Sequence, residues 1–230
     1  MKTIGMIAGM TWESSQLYYR LVNQETKRRL GGHHNARSVM ATVDFAEVET
    51  MQRTGDWNAL GRLMADTARQ IERAGADFII LCTNTTHKMA ESIESAAGIP
   101  LLHIADATAG AILKAGEKRV GLLGTKFTME QMFIRERLER HGIEVMIPDG
   151  PSREVIHGMI YGELAHGIVR PESREQLQRI IGELAGRGAE SVVLGCTEIG
   201  LLIQAGDSAV PLHDTTVIHA TAAVDWALQT

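Results

Sequence analysis

Two polar segments, each following an apolar run, contain the side chains best suited to proton transfer. The first is "ILCTNTTH", residues 80–87, and the second is "VVLGCTEIG", residues 192–200. Each reads as a buried strand that ends in a loop, and parallel α/β sheets carry their reactive groups in such loops. A cysteine thiolate can act as a general base, so Cys196 is the candidate in the second segment. In the first segment the choice lies between Cys82 and the neighbouring alcohol, Thr83.

The two segments are parts of an internal repeat. When they are aligned without gaps at an offset of 113 residues, Gly75 meets Gly188, the apolar runs superpose and Thr83 stands opposite Cys196. Two further blocks keep the same order, since "TIGMIAGMT" resembles "RVGLLGTKFT" at an offset of 116 and "GIPLLH" resembles "AVPLHD" at an offset of 111. The near-constant spacing indicates two related halves rather than the strand–helix units that any α/β protein repeats.

This pattern predicts an α/β fold with two pseudo-symmetric domains, each a mainly parallel sheet flanked by helices. We expect residues 1–100 plus about 212–230 to form the first domain and residues 101–211 to form the second. Helices are predicted over residues 58–75 and over residues 173–188, the second with its first serine as the N-cap, and each leads into a buried strand. Because such sheets bind ligands outside the carboxyl ends of their strands, the active site is expected in the cleft between the domains.

Composition and charge exclude several classes of partner. The chain has 230 residues, of which 44% are hydrophobic, and its formal net charge of −5 comes from interspersed acids and bases, which gives no indication of nucleic-acid or membrane binding. The two cysteines match no disulfide or zinc spacing, and no dinucleotide, phosphate-loop or pyridoxal-lysine motif is present, so we expect neither a metal nor a cofactor. Since no apolar run approaches the ~18 residues of a membrane span, we expect a cytoplasmic protein.

These motifs resemble those of the aspartate/glutamate racemase family over nearly the whole chain. "IILCTNTTH" is similar to the family's first signature, a strand ending in Cys-Asn-Thr-x-His, and "VVLGCTEIGLL" is similar to its second, Gly-Cys-Thr-Glu. The opening "IGMIAGMTWESS" resembles the family's Gly-Gly-Met-Gly-Pro start, and "GLLGTKFTM" resembles its interdomain strand and loop. The resemblance implies a homodimer that racemises an amino acid without a cofactor, one group removing the Cα proton and another delivering a proton to the opposite face.

The first signature is altered in this chain. Matching Asn84, Thr85 and His87 to the family's Asn-Thr-x-His puts Thr83 where the family has its first catalytic cysteine. Adjacent side chains of a strand point to opposite faces, so Cys82 is expected to be a small buried hydrophobe. A one-residue slip that turns Cys82 towards the substrate stays open, because a loop need not keep strand geometry. We expect His87 to orient its loop rather than to react.

The two candidate groups differ in acidity. The pKa of a cysteine begins near ~8.5 and falls beside a helix N-terminus or a cation, so Cys196 is a candidate thiolate. The pKa of an alkanol is closer to that of water, ~15.7, so Thr83 is at most a weak proton donor or a group that holds water. The resemblance implies that the cysteine of the second half acts on the L-enantiomer. We therefore predict that Cys196 deprotonates an L-amino acid and that the reverse reaction from the D-enantiomer is slow or absent.

Residues beside the catalytic positions are candidates for holding the substrate. Asn84, Thr85 and Thr197 are suited to its α-carboxylate and amino groups, because their backbone N–H groups are expected near helix starts. Thr125 and Lys126, in the loop of "LLGTKFT", are weaker candidates.

A second carboxylate on the substrate would need a cation. Arg53 and Arg170 stand where the resembling family carries basic residues, and Gln52 could replace the charge by a hydrogen bond. Met10 and Glu198 complete the predicted substrate-binding residues. Aspartate or glutamate is the first choice of substrate, and a neutral polar amino acid such as homoserine is the alternative. A single-thiol decarboxylase or cis–trans isomerase of the same superfamily, and a non-catalytic amino-acid-binding protein, also stay open.

Overall fold

The computed structural model of the chain describes residues 1–229, in which strands and helices alternate along the sequence. The strands are β1 (Ile4–Ala8), β2 (Ser38–Thr42), β3 (Phe78–Leu81), β4 (Leu101–Leu102), β5 (Arg119–Gly124), β6 (Glu144–Met146), β7 (Ser191–Gly195) and β8 (Leu212–Asp214). The helices are α1 (Trp12–Leu30), α2 (Phe45–Thr54), α3 (Trp57–Arg73), α4 (Ala90–Ala96), α5 (Ile104–Lys114), α6 (Lys126–Glu130), α7 (Met132–Glu139), α8 (Gly150–Gly162), α9 (Pro171–Gly186), α10 (Ile199–Leu202) and α11 (Thr215–Leu228). Short 3-10 helices span Thr85–Met89, Leu164–His166 and Ala205–Asp207.

The strands form two four-stranded sheets, ordered β2-β1-β3-β4 and β6-β5-β7-β8. Every pairing in the two sheets is parallel. Parallel neighbours need a crossover that carries the chain back to the starting edge, and the helices between the strands supply it. The predicted α/β fold with parallel sheets flanked by helices is confirmed.

The repeat in the sequence reproduces the pairing register of the strands. In the first sheet Ile4 pairs with Phe78, and in the second sheet Val120 pairs with Ser191, which are the same positions displaced by 116 and 113 residues. The next pairing behaves alike, because the match of β3 with β4 recurs between β7 and β8 at offsets of 113 and 111. Equivalent strand ends of the two sheets are therefore identified by the sequence offsets alone.

The chain divides into two compact units, each containing one sheet. Unit 1 comprises Met1–Ile104 and residues 219–229, and unit 2 comprises Ala105–Ile218. Each has its own apolar core, which is sufficient reason for each sheet to fold with its own helices.

Apolar side chains cover both faces of the unit 1 sheet. Along β3, Ile79 and Leu81 belong to one apolar cluster, while Phe78, Ile80 and Cys82 belong to another. A strand that is buried on both faces has no polar side to show, so β3 reads as a continuous apolar run. The alternation also assigns Cys82 to the core before the loop begins.

The two predicted helices form with small shifts at their ends. α3 begins one residue earlier than predicted, with Asp56 as its N-cap accepting from the N–H of Ala59 at 2.9 Å. α9 begins at Pro171, so the prediction of Ser173 as its N-cap is wrong. Proline at the first position of a helix loses no hydrogen bond, and Ser173 instead donates to Glu163 Oε2 at 2.6 Å from inside the helix.

Candidate active site

In unit 1 the chain leaves the sheet at Thr83. The N–H of Cys82 still donates to the carbonyl of Ile7 on β1 at 2.9 Å, whereas the N–H of Thr83 donates to the carbonyl of Leu81, two residues earlier, at 2.8 Å. Cys82 thus keeps the strand geometry, and Thr83 is the first residue of the turn. The side chain of Thr83 shares the strand face of Leu81 and is 8% exposed.

Cys82 is inaccessible to solvent and packs among apolar side chains of β1, β3 and α11. Burial raises the pKa of its thiol far above the ordinary value, so the group stays protonated. The expectation that Cys82 is a small buried hydrophobe is confirmed, and the alternative slip towards the substrate is absent from this structure.

A short 3-10 helix, Thr85–Met89, follows the turn and contains His87. The Nδ1 of His87 lies 2.6 Å from the carbonyl oxygen of Thr83, and its Nε2 accepts from the N–H of Ile104 at 3.2 Å. Asn84 and Thr85 are buried beside it. The unit 1 residues of the altered signature therefore form one hydrogen-bonded loop.

The neighbours Gln52 and Arg53 on α2 point in different directions. Gln52 is buried, and its Nε2 donates to Thr86 Oγ1 of the same loop at 3.5 Å. The side chain of Arg53 is 66% exposed and pairs with Glu49 one helical turn away at 3.4 Å. In unit 1 the amide, and not the guanidinium, lies against the loop that contains Thr83.

The loop after β1 is a second polar loop on the same sheet edge, and the sequence prediction missed most of it. Gly9 has φ +94, and its N–H donates to Ser15 Oγ at 2.8 Å, while Ser15 Oγ donates to the carbonyl of Thr11 at 2.7 Å. Met10, the residue predicted there, packs in the apolar core of unit 1. A glycine followed by three hydroxyl residues, Thr11, Ser14 and Ser15, was the available signal.

In unit 2 the loop after β7 holds a thiol against a carboxylate. Cys196 Sγ donates to Glu198 Oε2 at 3.0 Å, and Thr197 Oγ1 donates to the same oxygen at 2.6 Å. All three side chains are buried, Cys196 being 7% exposed. One carboxylate oxygen thus gathers both neighbouring protons.

The surroundings of Cys196 overturn the expectation of a lowered pKa. Backbone N–H groups of Glu198 and Ile199 favour the thiolate, as a helix start should. Burial, followed by the negative charge and hydrogen bond of Glu198, outweighs them and raises the pKa of Cys196 well above its ordinary value. Cys196 is accordingly a thiol in this structure, and it needs a proton acceptor before it can serve as a base.

Two glycines bring the strands beside Cys196 close together. A Cβ on Gly195 would stand 2.7 Å from the carbonyl oxygen of Leu123, and a Cβ on Gly124 would stand 2.8 Å from the carbonyl oxygen of Gly195. Neither distance is possible for a larger residue without moving backbone. The repeat already contained the signal, because a glycine ends both "GLLG" and "VVLG".

The next residues, Thr125 and Lys126, behave differently from each other. Thr125 is buried and caps α6, accepting from the N–H of Thr128 at 3.2 Å. Lys126 instead forms an ion pair with Glu154 at the surface, and that carboxylate raises the pKa of the ammonium. Thr125 is thus held at the strand end, while the charge of Lys126 is already matched.

Arg170 and Asp214 complete the comparison with the predicted residues of unit 2. The side chain of Arg170 is 58% exposed and stands 3.5 Å from Glu163. Asp214, which the sequence prediction missed, ends β8 next to the strand of Cys196, and burial raises the pKa of its carboxyl group. Its Oδ2 would stand 2.7 Å from a Cβ on Gly200, so this carboxyl group packs directly against α10.

Within residues 1–229, no group of three or more His, Cys, Asp or Glu side chains could hold a metal ion. No helix among the described residues is long and apolar enough to cross a membrane.

Comparison with known proteins identifies relatives of the whole chain. The family described as Asp/Glu/Hydantoin racemase matches residues 7–223. The broad specificity amino-acid racemase RacX of Bacillus subtilis is 27% identical over 98% of this chain and 98% of its own length. Among solved structures, a proposed Asp/Glu racemase from Yersinia pestis is 50% identical with a TM-score of 0.94, and an aspartate racemase homologue from Pyrococcus horikoshii OT3 is 33% identical with a TM-score of 0.87, each over the full length of both chains.

A more distant structure shares the fold. The glutamate racemase from Aquifex pyrophilus is 18% identical over 98% of this chain and 84% of its own, with a TM-score of 0.64. The family match spans nearly all of the described residues, including both strand-end loops. The chain belongs to the Asp/Glu/hydantoin racemase family, and we assign it to the amino-acid racemases of that family.

Proposed function

We propose that the chain racemises amino acids without a cofactor, with Cys196 as the base that removes the Cα proton of the L-enantiomer. The observation that carries the proposal is the hydrogen bond from Cys196 Sγ to Glu198 Oε2 at 3.0 Å. A buried thiol with a carboxylate acceptor at this distance can ionise by a proton transfer within the site.

The reaction then has three steps. Cys196 gives its proton to Glu198, the thiolate takes the Cα proton, and a proton returns to the opposite face of the carbanion from Thr83 or from a water that Thr83 holds. Thr197, which also donates to Glu198, keeps the carboxylate in place. Because a threonine hydroxyl is a poor base, deprotonation of the D-enantiomer from the Thr83 side is slow, and the reaction is biased from L to D.

Aspartate or glutamate is the first choice of substrate. The buried polar side chains of Asn84, Thr85, Thr125 and Thr197 support contacts with its α-carboxylate and amino groups. Arg53 and Arg170 are the candidates for a distal carboxylate, although each is exposed and already pairs with a glutamate. One of them must change partner to bind the substrate.

A neutral polar amino acid such as homoserine is the second candidate. The buried amide of Gln52, beside the Thr83 loop, is suited to a hydroxyl or amide side chain rather than to a carboxylate. The printed description of RacX as a broad specificity amino-acid racemase supports the same reading. We also propose a homodimer, which light scattering of the purified protein tests.

The decisive experiment follows Cα deuterium incorporation in D₂O by proton NMR. L- and D-aspartate, L- and D-glutamate and L- and D-homoserine are incubated with the wild type, Cys196→Ser and Thr83→Cys. Exchange from the L-form, lost in Cys196→Ser, is expected. Release of carbon dioxide from a malonate, isomerisation of maleate, or tight amino-acid binding without exchange would instead identify a decarboxylase, a cis–trans isomerase or a binding protein.

A further inference from the structure

Three buried histidines lie next to the Thr83 loop within unit 1. The ring of His87 is 4.5 Å from that of His103 and 5.8 Å from that of His219, measured between centroids. None of the three side chains is more than 2% exposed. His219 is bonded to Tyr18 and to the carbonyl of Leu102, so among the hydrogen bonds described above only His87 reaches the loop itself.

The two hydrogen bonds of His87 determine its tautomer. A backbone carbonyl can only accept, so the Nδ1 that lies 2.6 Å from the oxygen of Thr83 carries the proton. A backbone N–H can only donate, so the Nε2 that faces the N–H of Ile104 at 3.2 Å is bare. The ring is therefore a neutral imidazole protonated on Nδ1.

These bonds connect two distinct places in the chain. Ile104 is the first residue of α5, and the N–H groups of a first helical turn have no partner inside the helix. His87 supplies one, as a cap would. The same ring therefore ties the start of α5 to the carbonyl of Thr83.

Fixing that carbonyl also fixes the next amide. The peptide between Thr83 and Asn84 is trans, so its C=O and N–H point in opposite directions within one rigid plane. A hydrogen bond to the oxygen orients the N–H of Asn84 and polarises it as a donor. The orientation of this donor is thus controlled by the ring of His87.

We propose that His87 is a positioning residue for the racemase, which sets the Thr83–Asn84 peptide so that the N–H of Asn84 binds the substrate α-carboxylate and Thr83 keeps its place. The inference rests on the proposed function, because the donor needs a carboxylate to bind. His87 itself transfers no proton, since both of its nitrogens are committed to backbone groups.

Two conservative variants separate the two bonds. In His87→Asn the side-chain NH₂ reaches the position of Nδ1 and keeps the bond to Thr83, but the bond to Ile104 is lost. In His87→Gln the side-chain oxygen reaches the position of Nε2 and keeps the bond to Ile104, but Thr83 is released. Each variant loses one buried hydrogen bond, so both should show a lower Tm than the wild type.

Turnover should differ where stability does not. We expect His87→Asn to keep kcat/KM within about 3-fold of the wild type and His87→Gln to lose about 10–100-fold, as a small misplacement of a binding group does. The matched control is His219→Gln, in the same cluster but without a bond to the loop, which should lower Tm and leave kcat/KM unchanged. A purely structural role would give the two His87 variants equal kcat/KM, and that result would overturn the inference.

Two readouts keep this test separate from the proposed function. Nitrogen-15 NMR of the wild type should show His87 protonated on Nδ1 and bare on Nε2, and the reverse tautomer would refute the geometry. If the wild type exchanges no Cα proton, the proposed function fails, and calorimetric binding of L-aspartate and L-homoserine then decides for His87. Weaker binding by His87→Gln than by His87→Asn supports positioning, and equal binding or no binding by any form overturns it.

Discussion

The loops after β3 and β7 occupy equivalent strand ends but carry different chemistry. At the offset of 113 residues, Thr83 stands where Cys196 stands, and Thr85 stands where Glu198 stands. The first loop therefore lacks both the thiol and the carboxylate that accepts its proton. A fold that repeats its strand register has kept the backbone of two sites and the acid–base pair of only one, which predicts directional rather than symmetric proton transfer.

The largest effect should come from removing the thiol. Cys196→Ser replaces it with an alcohol whose pKa is several units higher, so Cα exchange from the L-enantiomer should fall by about 10²–10⁴-fold. Proton NMR in D₂O measures the rate directly. Exchange at the wild-type rate in this variant would remove Cys196 from the mechanism and with it the contrast between the loops.

Glu198→Gln keeps the shape of the acceptor and removes its charge. The pKa of Cys196 should fall, because the negative charge beside it helps to raise it. The exchange rate should nevertheless drop by about 10–100-fold, since the amide cannot take the thiol proton. Alkylation of the thiol as a function of pH measures the first effect and NMR the second. An increase in exchange would mean that Glu198 only restrains the thiol and does not accept its proton.

Restoring the missing pair in unit 1 should open the reverse direction. Thr83→Cys should raise Cα exchange from the D-enantiomer by about 10-fold, and adding Thr85→Glu should raise it further by supplying the acceptor. Position 85 is as buried as Glu198, so the introduced carboxylate enters a comparable environment. Thr85→Gln in the same background is the control, and an equal gain from both would show that the charge contributes nothing.

Acid should destabilise unit 1 through His219. Burial lowers the pKa of this imidazole from 6.5 to about 4, so between these values the unfolded chain binds more protons than the folded chain. The free energy of unfolding should therefore be at its full value above pH 6.5 and fall as the pH drops towards 4. Urea unfolding at several pH values should show a smaller slope for His219→Gln. His33→Gln, at an exposed histidine, should keep the wild-type slope, and an unchanged slope in both would exclude His219 as the source.

The smallest effect should come from the other cysteine. Cys82→Ala removes a buried sulfur from the core of unit 1 and should lower the free energy of unfolding by about 1 kcal/mol. Its rate of Cα exchange should equal that of the wild type. A large loss of exchange with little loss of stability would return Cys82 to the list of reactive groups and reverse the assignment of Thr83.

The fold and the identity of the loops could be predicted because they depend on local patterns. Continuous apolar runs gave the buried strands, and the alternation of side chains along β3 placed Cys82 in the core and Thr83 in the turn. The spacing of the repeat gave the equivalence of Thr83 with Cys196 and even the strand register.

The electrostatics could not be predicted in the same way. A helix start beside Cys196 suggested a lowered pKa, but the orientation of Glu198, two residues along, reverses the sign. Sequence also gave no means of telling that Gln52 turns inward while Arg53 turns to solvent, since both are plausible on α2. Such outcomes depend on side-chain direction, which spacing alone does not fix.

The division of unit 1 into two separated segments has a consequence for the order in which the protein folds during synthesis. Ala220, Ala223, Val224 and Ala227 of α11 pack against β1 and β3, and Trp226 stacks on Phe78 with ring centroids 5.0 Å apart. The ribosome must therefore reach residue 227 before this face of the first sheet can be covered, although its strands are made early. Unit 2 is by then complete, so nascent chains should show a protease-resistant second unit before a resistant first one.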